Sequence, residues 1–173
     1  IVPRKAVMEL QKIISTNEEE ITLNVSQNQI NVMGALFSFT SKLIEGNYPD
    51  YEKVFPVGDE SKLIIDKNEL NTALSRASVL SNEKYKGIRL SLNEDLLKIE
   101  ANNPEKESAE EEIKVDYSGP ELEIGFNISY LQESLTTIKD LSAEIVFFGQ
   151  ESSCIVKNKE SEDLIHVIMP MRL

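Results

Sequence analysis

A repeat constrains this chain more than any other feature of its sequence. The order amphipathic helix, two-strand hairpin, final strand occurs over residues 3–44 and again over residues 127–169. Shifted by 124 positions, Glu20-Ile21 falls on Glu144-Ile145, Val32 on Val156, Val7 on Leu131 and Ile14 on Ile138. Residues 59–173 themselves read as doubled: strand, helix and strands, then helix and strands again. Internal repeats of this kind describe the architecture before any single element does. The chain reads as one and a half copies of a two-helix, many-stranded α+β domain, the first copy without its front half.

Local signals fill in the units. Pro3 to Ile14 is an amphipathic helix, with Val7, Leu10 and Ile14 on one face and Lys5, Glu9 and Lys12 on another. Strand-like runs follow at Ile21–Ser26, Gln29–Met33 and Leu36–Ile44. The stretch from Glu45 to Tyr51, extended by Pro56, Gly58 and Asp59, is turn-rich. It places a domain boundary near residues 56–60, giving units 1–58 and 59–173. After a strand at Ser61–Ile65, Asp66 is an N-cap with Glu69 three residues on. Leu70, Ala73, Leu74 and Ala77 form the buried stripe of that helix, and Val79 lies roughly opposite it. Val79 is either part of a frayed end or a subunit contact.

Gly87–Leu92 and Leu96–Ala101 predict a hairpin, with Ile88, Leu90 and Leu92 facing inward. Glu111–Tyr117 is expected to pair with Leu122–Phe126 across Ser118-Gly119-Pro120. Ile128, Leu131, Leu135 and Ile138 mark a further helix, followed by strands near 144–149, 153–158 and 164–169.

Residue inventory excludes much chemistry. With one His and one Cys, no His/Cys metal centre can be assembled. Neither a P-loop, a Gly-x-Gly-x-x-Gly nor a Gly-x-Ser-x-Gly occurs. No catalytic residue, metal or cofactor is expected. The acidic run Glu105–Glu112 lacks a calcium-loop pattern and reads as a solvated loop. The lone Cys154 sits beside Ile155-Val156 and reads as a buried thiol in a cytosolic setting. No apolar run approaches the roughly 20 residues of a membrane span. The chain lacks an initiator Met and is expected to be a fragment or a processed product. Its net charge of −12 argues against a general nucleic-acid binder, but charge is segregated, since Arg4, Lys5 and Lys12 outnumber Glu9 in the first helix.

Several stretches together are recognisable. They are Ile1-Val2-Pro3-Arg4-Lys5, Phe39-Thr40-Ser41-Lys42-Leu43, Tyr48-Pro49-Asp50-Tyr51, Leu80-Ser81-Asn82-Glu83-Lys84, Ala101-Asn102-Asn103-Pro104-Glu105, Tyr117-Ser118-Gly119, Ile124-Gly125-Phe126-Asn127 and Met169-Pro170-Met171-Arg172-Leu173. In this order the chain resembles the β subunit of bacterial DNA polymerase III, the sliding-clamp family. The resemblance implies a DNA-clamp fold, with repeated domains whose paired helices line a ring and whose antiparallel sheets lie outside. It implies the back half of a middle domain followed by a complete last domain. It also implies a non-enzymatic processivity factor, a homodimer at full length, that works in the cytoplasm on duplex DNA.

Three residue sets follow from the resemblance. Arg4, Lys5 and Lys12, with Arg76, Lys84 and Lys86, would face DNA without reading its sequence. A groove for clamp-binding peptides would use Pro49, Lys53 and Val54, then Asn127, Tyr130, Glu151, Ser153, Val167, Ile168, Met169, Pro170, Met171 and Arg172. Its expected users are the polymerase α subunit, clamp-loader subunits and other proteins carrying a clamp-binding motif. Methionines suit a groove that accepts many partners. Some family members have an apolar residue where Glu151 stands and Arg where Lys53 stands. Ring closure would use Val79 and Leu80 with Glu105, Glu107, Glu110 and Glu111. Without a first domain, the chain is expected to be a monomer or a non-native assembly. The alternative is a generic β-rich interaction module with no DNA role, which predicts no basic helix lining.

Overall fold

Residues 1–15, 20–161 and 163–172 are described by the computed structural model, which divides into two units, Ile1–Asp50 and Tyr51–Leu173. The division falls inside the Gly/Asn/Pro-rich stretch, earlier than the 58/59 boundary expected from sequence. Leu173, the last residue of the terminal signature, lies outside the described residues.

In the first unit, α1 (Arg4–Ser15) starts directly after Pro3, whose carbonyl accepts the Val7 N–H at 3.1 Å. A proline there gives up no helical hydrogen bond. Strands β1 (Thr22–Val25), β2 (Gln29–Met33) and β3 (Ser38–Lys42) form an antiparallel meander in that order. Ile30 and Val32 are the buried side of β2, as strand alternation requires. The Ser26 hydroxyl closes the β1–β2 turn, donating to the Gln29 carbonyl and accepting the Gln29 N–H. Within α1 the buried residue is Ala6. Val7 and Ile14 are exposed and Leu10 is half-buried.

The second unit opens with a short 3-10 turn at Tyr51–Val54. It continues through β4 (Ser61–Asp66), α2 (Lys67–Ser78), β5 (Gly87–Asn93), β6 (Leu96–Asn102) and β7 (Ser108–Lys114). Then come β8 (Asp116–Ser118), β9 (Leu122–Asn127), α3 (Ile128–Thr137), β10 (Ser142–Phe147), β11 (Cys154–Asn158) and β12 (Ile165–Ile168). A five-stranded sheet has the order β12-β11-β10-β4-β8 and a four-stranded sheet the order β7-β6-β5-β9.

The two halves of this unit are interlocked. β4 precedes α2 in the chain, yet it completes the sheet of β10–β12. β9 precedes α3, yet it completes the sheet of β5–β7. Each half lends its opening strand to the other, so neither sheet is built from one half alone. α2 packs on β6, β7, β4 and α3, and α3 packs on β9 and β12. Leu63, Leu70, Leu74, Leu90, Phe126 and Leu131 belong to one continuous buried core between these layers.

The repeat holds in three dimensions. α3 with β10-β11-β12 reproduces α1 with β1-β2-β3, and Val32 and Val156 are both buried. The hairpin register slides by two residues between copies, since Val32 faces Leu23 whereas Val156 faces Ile145. An even slip leaves every side chain on its own face.

Two expectations are corrected. Glu111–Tyr117 is not one strand paired with β9. It breaks at Val115, whose N–H is bonded to the Asp95 carbonyl at 2.8 Å, and its two parts enter different sheets. β9 pairs instead with β5, because burying Leu122, Ile124 and Phe126 against Ile88, Leu90 and Leu92 outweighs a local hairpin. The acidic run is also not all loop, for from Ser108 onward it is the edge strand β7. Glu110 and Glu112 point outward and Ile113 is buried, a charged edge that discourages strand addition.

Asp66 caps α2 as the sequence predicts. Its carboxylate accepts the N–H groups of Asn68 and Glu69 at 2.8 and 2.9 Å. Asp66→Ala is expected to lower stability by about 1 kcal/mol, read as a shift in the urea midpoint. An unchanged midpoint would show that the cap is not energetically coupled to the fold.

Candidate functional site

The end of the chain bridges the two sheets of the second unit. β12 pairs with β11 in the five-stranded sheet, from Ile165 to Ile168. Pro170, which has no N–H to offer a ladder, lies two residues past the strand's last pair at Ile168. The Met171 N–H then bonds to the Gly125 carbonyl at 2.8 Å, on the free edge of the four-stranded sheet. The crossing segment is thus pinned at both ends. Between the pins Met169 is 66% exposed, over a buried Ile168.

A hollow of about 390 Å³ lies on one side of this segment, between α3 and β12, lined by Tyr130, Glu133, Ser134, Thr137, His166, Val167 and Ile168. Tyr130 is 59% exposed, a large ring left at a rim. His166 Nε2 lies 2.6 Å from the Thr137 hydroxyl. A second hollow of about 430 Å³ lies at the far end, where Met171 and Arg172 meet Tyr85 and Arg89. Sequence reasoning missed Tyr85 and Arg89. Only the position of Tyr85 just before β5 hinted at it, and nothing local marked Arg89.

The proposed groove residues of this unit are partly gathered. Tyr130, Val167 and Ile168 share the first hollow, while Met171 and Arg172 line the second. Asn127 caps α3, accepting the Ser129 N–H at 2.9 Å, and its amide donates to the Tyr85 carbonyl at 3.1 Å. Its side chain therefore holds the walls of the site in place. Arg172 reaches Glu151 at 3.7 Å with both side chains almost fully exposed. Ser153 is half-buried at the start of the hairpin arm. Lys53 and Val54 lie on the exposed 3-10 turn of this unit, and Pro49 is exposed in the first unit.

The cationic set is dispersed. Arg4, Lys5 and Lys12 are exposed on α1, with Lys12 3.1 Å from Glu9. Arg76 is drawn onto the edge strand, its Nε and Nη2 donating to both Glu111 oxygens at 2.7 and 2.6 Å. That forked bond raises the Arg76 pKa and lowers that of Glu111. Lys84 sits 5.1 Å from the Tyr85 ring centre, and Lys86 lies 3.3 Å from the Ser129 hydroxyl.

Val79 is the C-cap of α2 and 78% exposed, while Leu80 is half-buried. Of the nearby acids, Glu107 accepts from the Asn103 amide and Glu110 pairs with Lys98 at 3.0 Å. Glu105 is exposed. Lys98 is correspondingly raised in pKa, first by Glu110 and then by Glu100. The buried Cys154 thiol is pushed up to about 12 by desolvation, which leaves it protonated and unreactive near neutral pH. Among the described residues no group of acids, His and Cys could hold a metal ion, and no helix is long and apolar enough to cross a membrane.

Comparison with known proteins agrees with this architecture. The family description "DNA polymerase III beta subunit, C-terminal domain" matches residues 52–172, and "DNA polymerase III beta subunit, central domain" matches residues 1–50. The beta sliding clamp of Pseudomonas aeruginosa is 45% identical over the whole chain, and that of Escherichia coli K12 is 41% identical. The chain spans about half the length of these relatives, 47% of each. A crystal structure of the Pseudomonas aeruginosa clamp bound to griselimycin superposes over the whole chain with a TM-score of 0.95, again over 47% of its length. The clamp of Bartonella birtlesii bound to griselimycin, 32% identical, superposes with a TM-score of 0.93 over the same shares of the two chains. With matches that run from the first unit through the second and strands in the same places, this chain belongs to the DNA polymerase III beta subunit family, the bacterial beta sliding clamps.

Proposed function

We propose that this chain serves DNA replication as part of a processivity clamp. In this reading it does no chemistry of its own. It helps encircle duplex DNA in the cytoplasm and offers a docking surface to the polymerase, the clamp loader and other partners. One observation carries the docking role: the pinned segment Met169–Met171, with exposed Met169 and Tyr130 beside two hollows. A partner peptide can bury its apolar anchors there without the receptor having to fold, so little ordering entropy opposes binding. The soft methionine accommodates anchors of different shape.

DNA contact belongs to α1. Arg4, Lys5 and Lys12 present exposed cationic side chains, suited to weak phosphate contacts that permit sliding. Arg76 contributes less in this reading, because Glu111 already neutralises it. Val79, Leu80 and the acids of β7 form the contact with a further clamp domain, which gives an exposed valine at a helix end a reason.

Docking is tested by titrating the labelled chain with a short peptide carrying Leu and Phe anchors and following backbone amide shifts. The expected shifts cluster at Tyr130, Ser153 and Met169 to Arg172. Shifts elsewhere, or none at millimolar peptide, would overturn the assignment.

A further inference from the structure

The second hollow is not explained by apolar anchoring. Its lining includes one glycine, Gly87. In the four-stranded sheet Arg89 stands opposite Glu100 on one side and Gly125 on the other, and Gly125 holds Met171. Directly opposed residues share a face, so Glu100, Arg89, Gly125 and Met171 form one outward row. In the next row Gly87 stands opposite Asn127. Gly87 contributes no side chain to that face, which leaves room for a depression between Arg89, Met171 and the ring of Tyr85. Tyr85 is 55% exposed and its backbone is fixed from two sides: Asn82 accepts its N–H at 3.0 Å and Asn127 donates to its carbonyl.

The charge in this hollow runs against the chain. The protein carries −12 overall, yet the lining holds Arg89 and Arg172 against the single acid Glu100. Glu100 is itself bonded to Lys98 at 3.2 Å. The partners of the arginines are loose: Glu123 lies 3.3 Å from Arg89 and Glu151 lies 3.7 Å from Arg172, all on exposed side chains. Such pairs are worth little and exchange readily for a better carboxylate.

We propose that this hollow is an acid-accepting extension of the docking site, receiving an Asp or Glu that flanks the apolar anchors of a bound peptide. The inference rests on the docking reading above. The hollow is continuous with that surface through Met171 and Arg172. The carboxylate docks on the Arg89 guanidinium, and the aliphatic part of the same residue lies against Tyr85. The hollow therefore acts on specificity, favouring partners whose motif is bordered by acid.

Calorimetry of the full chain with matched peptides tests this. Each peptide carries the same Leu and Phe anchors, flanked at one end or the other by an Asp-Glu pair or by Asn-Gln. One acidic version is expected to bind about threefold tighter than its amide counterpart at low salt, an advantage that fades as salt rises. Arg89→Ala should equalise the two, and Arg89→Glu should reverse the preference. Equal affinities in the unsubstituted chain, or a preference that survives Arg89→Ala, would overturn the acid-accepting role while leaving docking intact. Failure of every peptide to bind would overturn the docking reading and this one with it.

Discussion

Replacing Phe126 by alanine is expected to destabilise the second unit by about 3–5 kcal/mol, the range for deleting a fully buried aromatic ring. Phe126 is completely buried on β9, the strand that one half of the unit lends to the sheet of the other. It stands opposite Ile88 and directly precedes the α3 N-cap Asn127. A cavity there loosens the interlock between the halves as well as the local packing. A domain has only about 5–15 kcal/mol in total, so the urea midpoint followed by circular dichroism should fall substantially. The tail contact at Gly125, one residue away, should lose hydrogen-exchange protection along with it. Val79→Ala, at a position 78% exposed, is the matching control and should change stability by no more than about 0.5 kcal/mol. If Phe126→Ala costs no more than Val79→Ala, the interlocked core described above is wrong.

The second large effect concerns docking. Tyr130→Ala is expected to weaken binding of an anchor-bearing peptide by about tenfold to a hundredfold, the usual loss when a large aromatic contact residue is truncated. Tyr130 projects from α3 beside the hollow and is 59% exposed, so its removal does not open the core. Thermal unfolding of the variant should therefore match that of the unsubstituted chain while affinity drops. Met169→Ala should act in the same direction but more weakly, because a flexible thioether is more easily replaced by neighbouring contacts. Retained affinity in Tyr130→Ala would remove α3 from the docking surface. A joint loss of affinity and folding would mean that Tyr130 is structural.

The repeat, the helices and most strands were legible in the sequence. Alternation of Ile88, Leu90 and Leu92, the stripe Leu70, Ala73, Leu74 and Ala77, and the Asp66 cap are local patterns, and each appears in place. What failed was pairing. Glu111–Tyr117 and Leu122–Phe126 look like a hairpin because they are adjacent and share a turn. Yet β9 goes to β5 and β8 goes to β4. Strand propensity says nothing about which sheet a strand joins. The acidic run misled in a similar way, since six of its residues are charged, five Glu and one Lys, while its pairing with β6 is made by the backbone.

The sequence by itself determined the α+β class, the one-and-a-half-fold repeat and the family, because helix and strand periodicities and ordered motifs are written in consecutive residues. Tertiary structure alone decided the exchange of strands between halves, the spanning of both sheets by the tail, and the meeting of Arg76 with Glu111. It also decided the hollow of Tyr85, Arg89 and Met171, which exists only where residues far apart in the chain are brought to one face of a sheet. Those features depend on burying one common core between two sheets, and that energy is a sum over residues far apart in the chain.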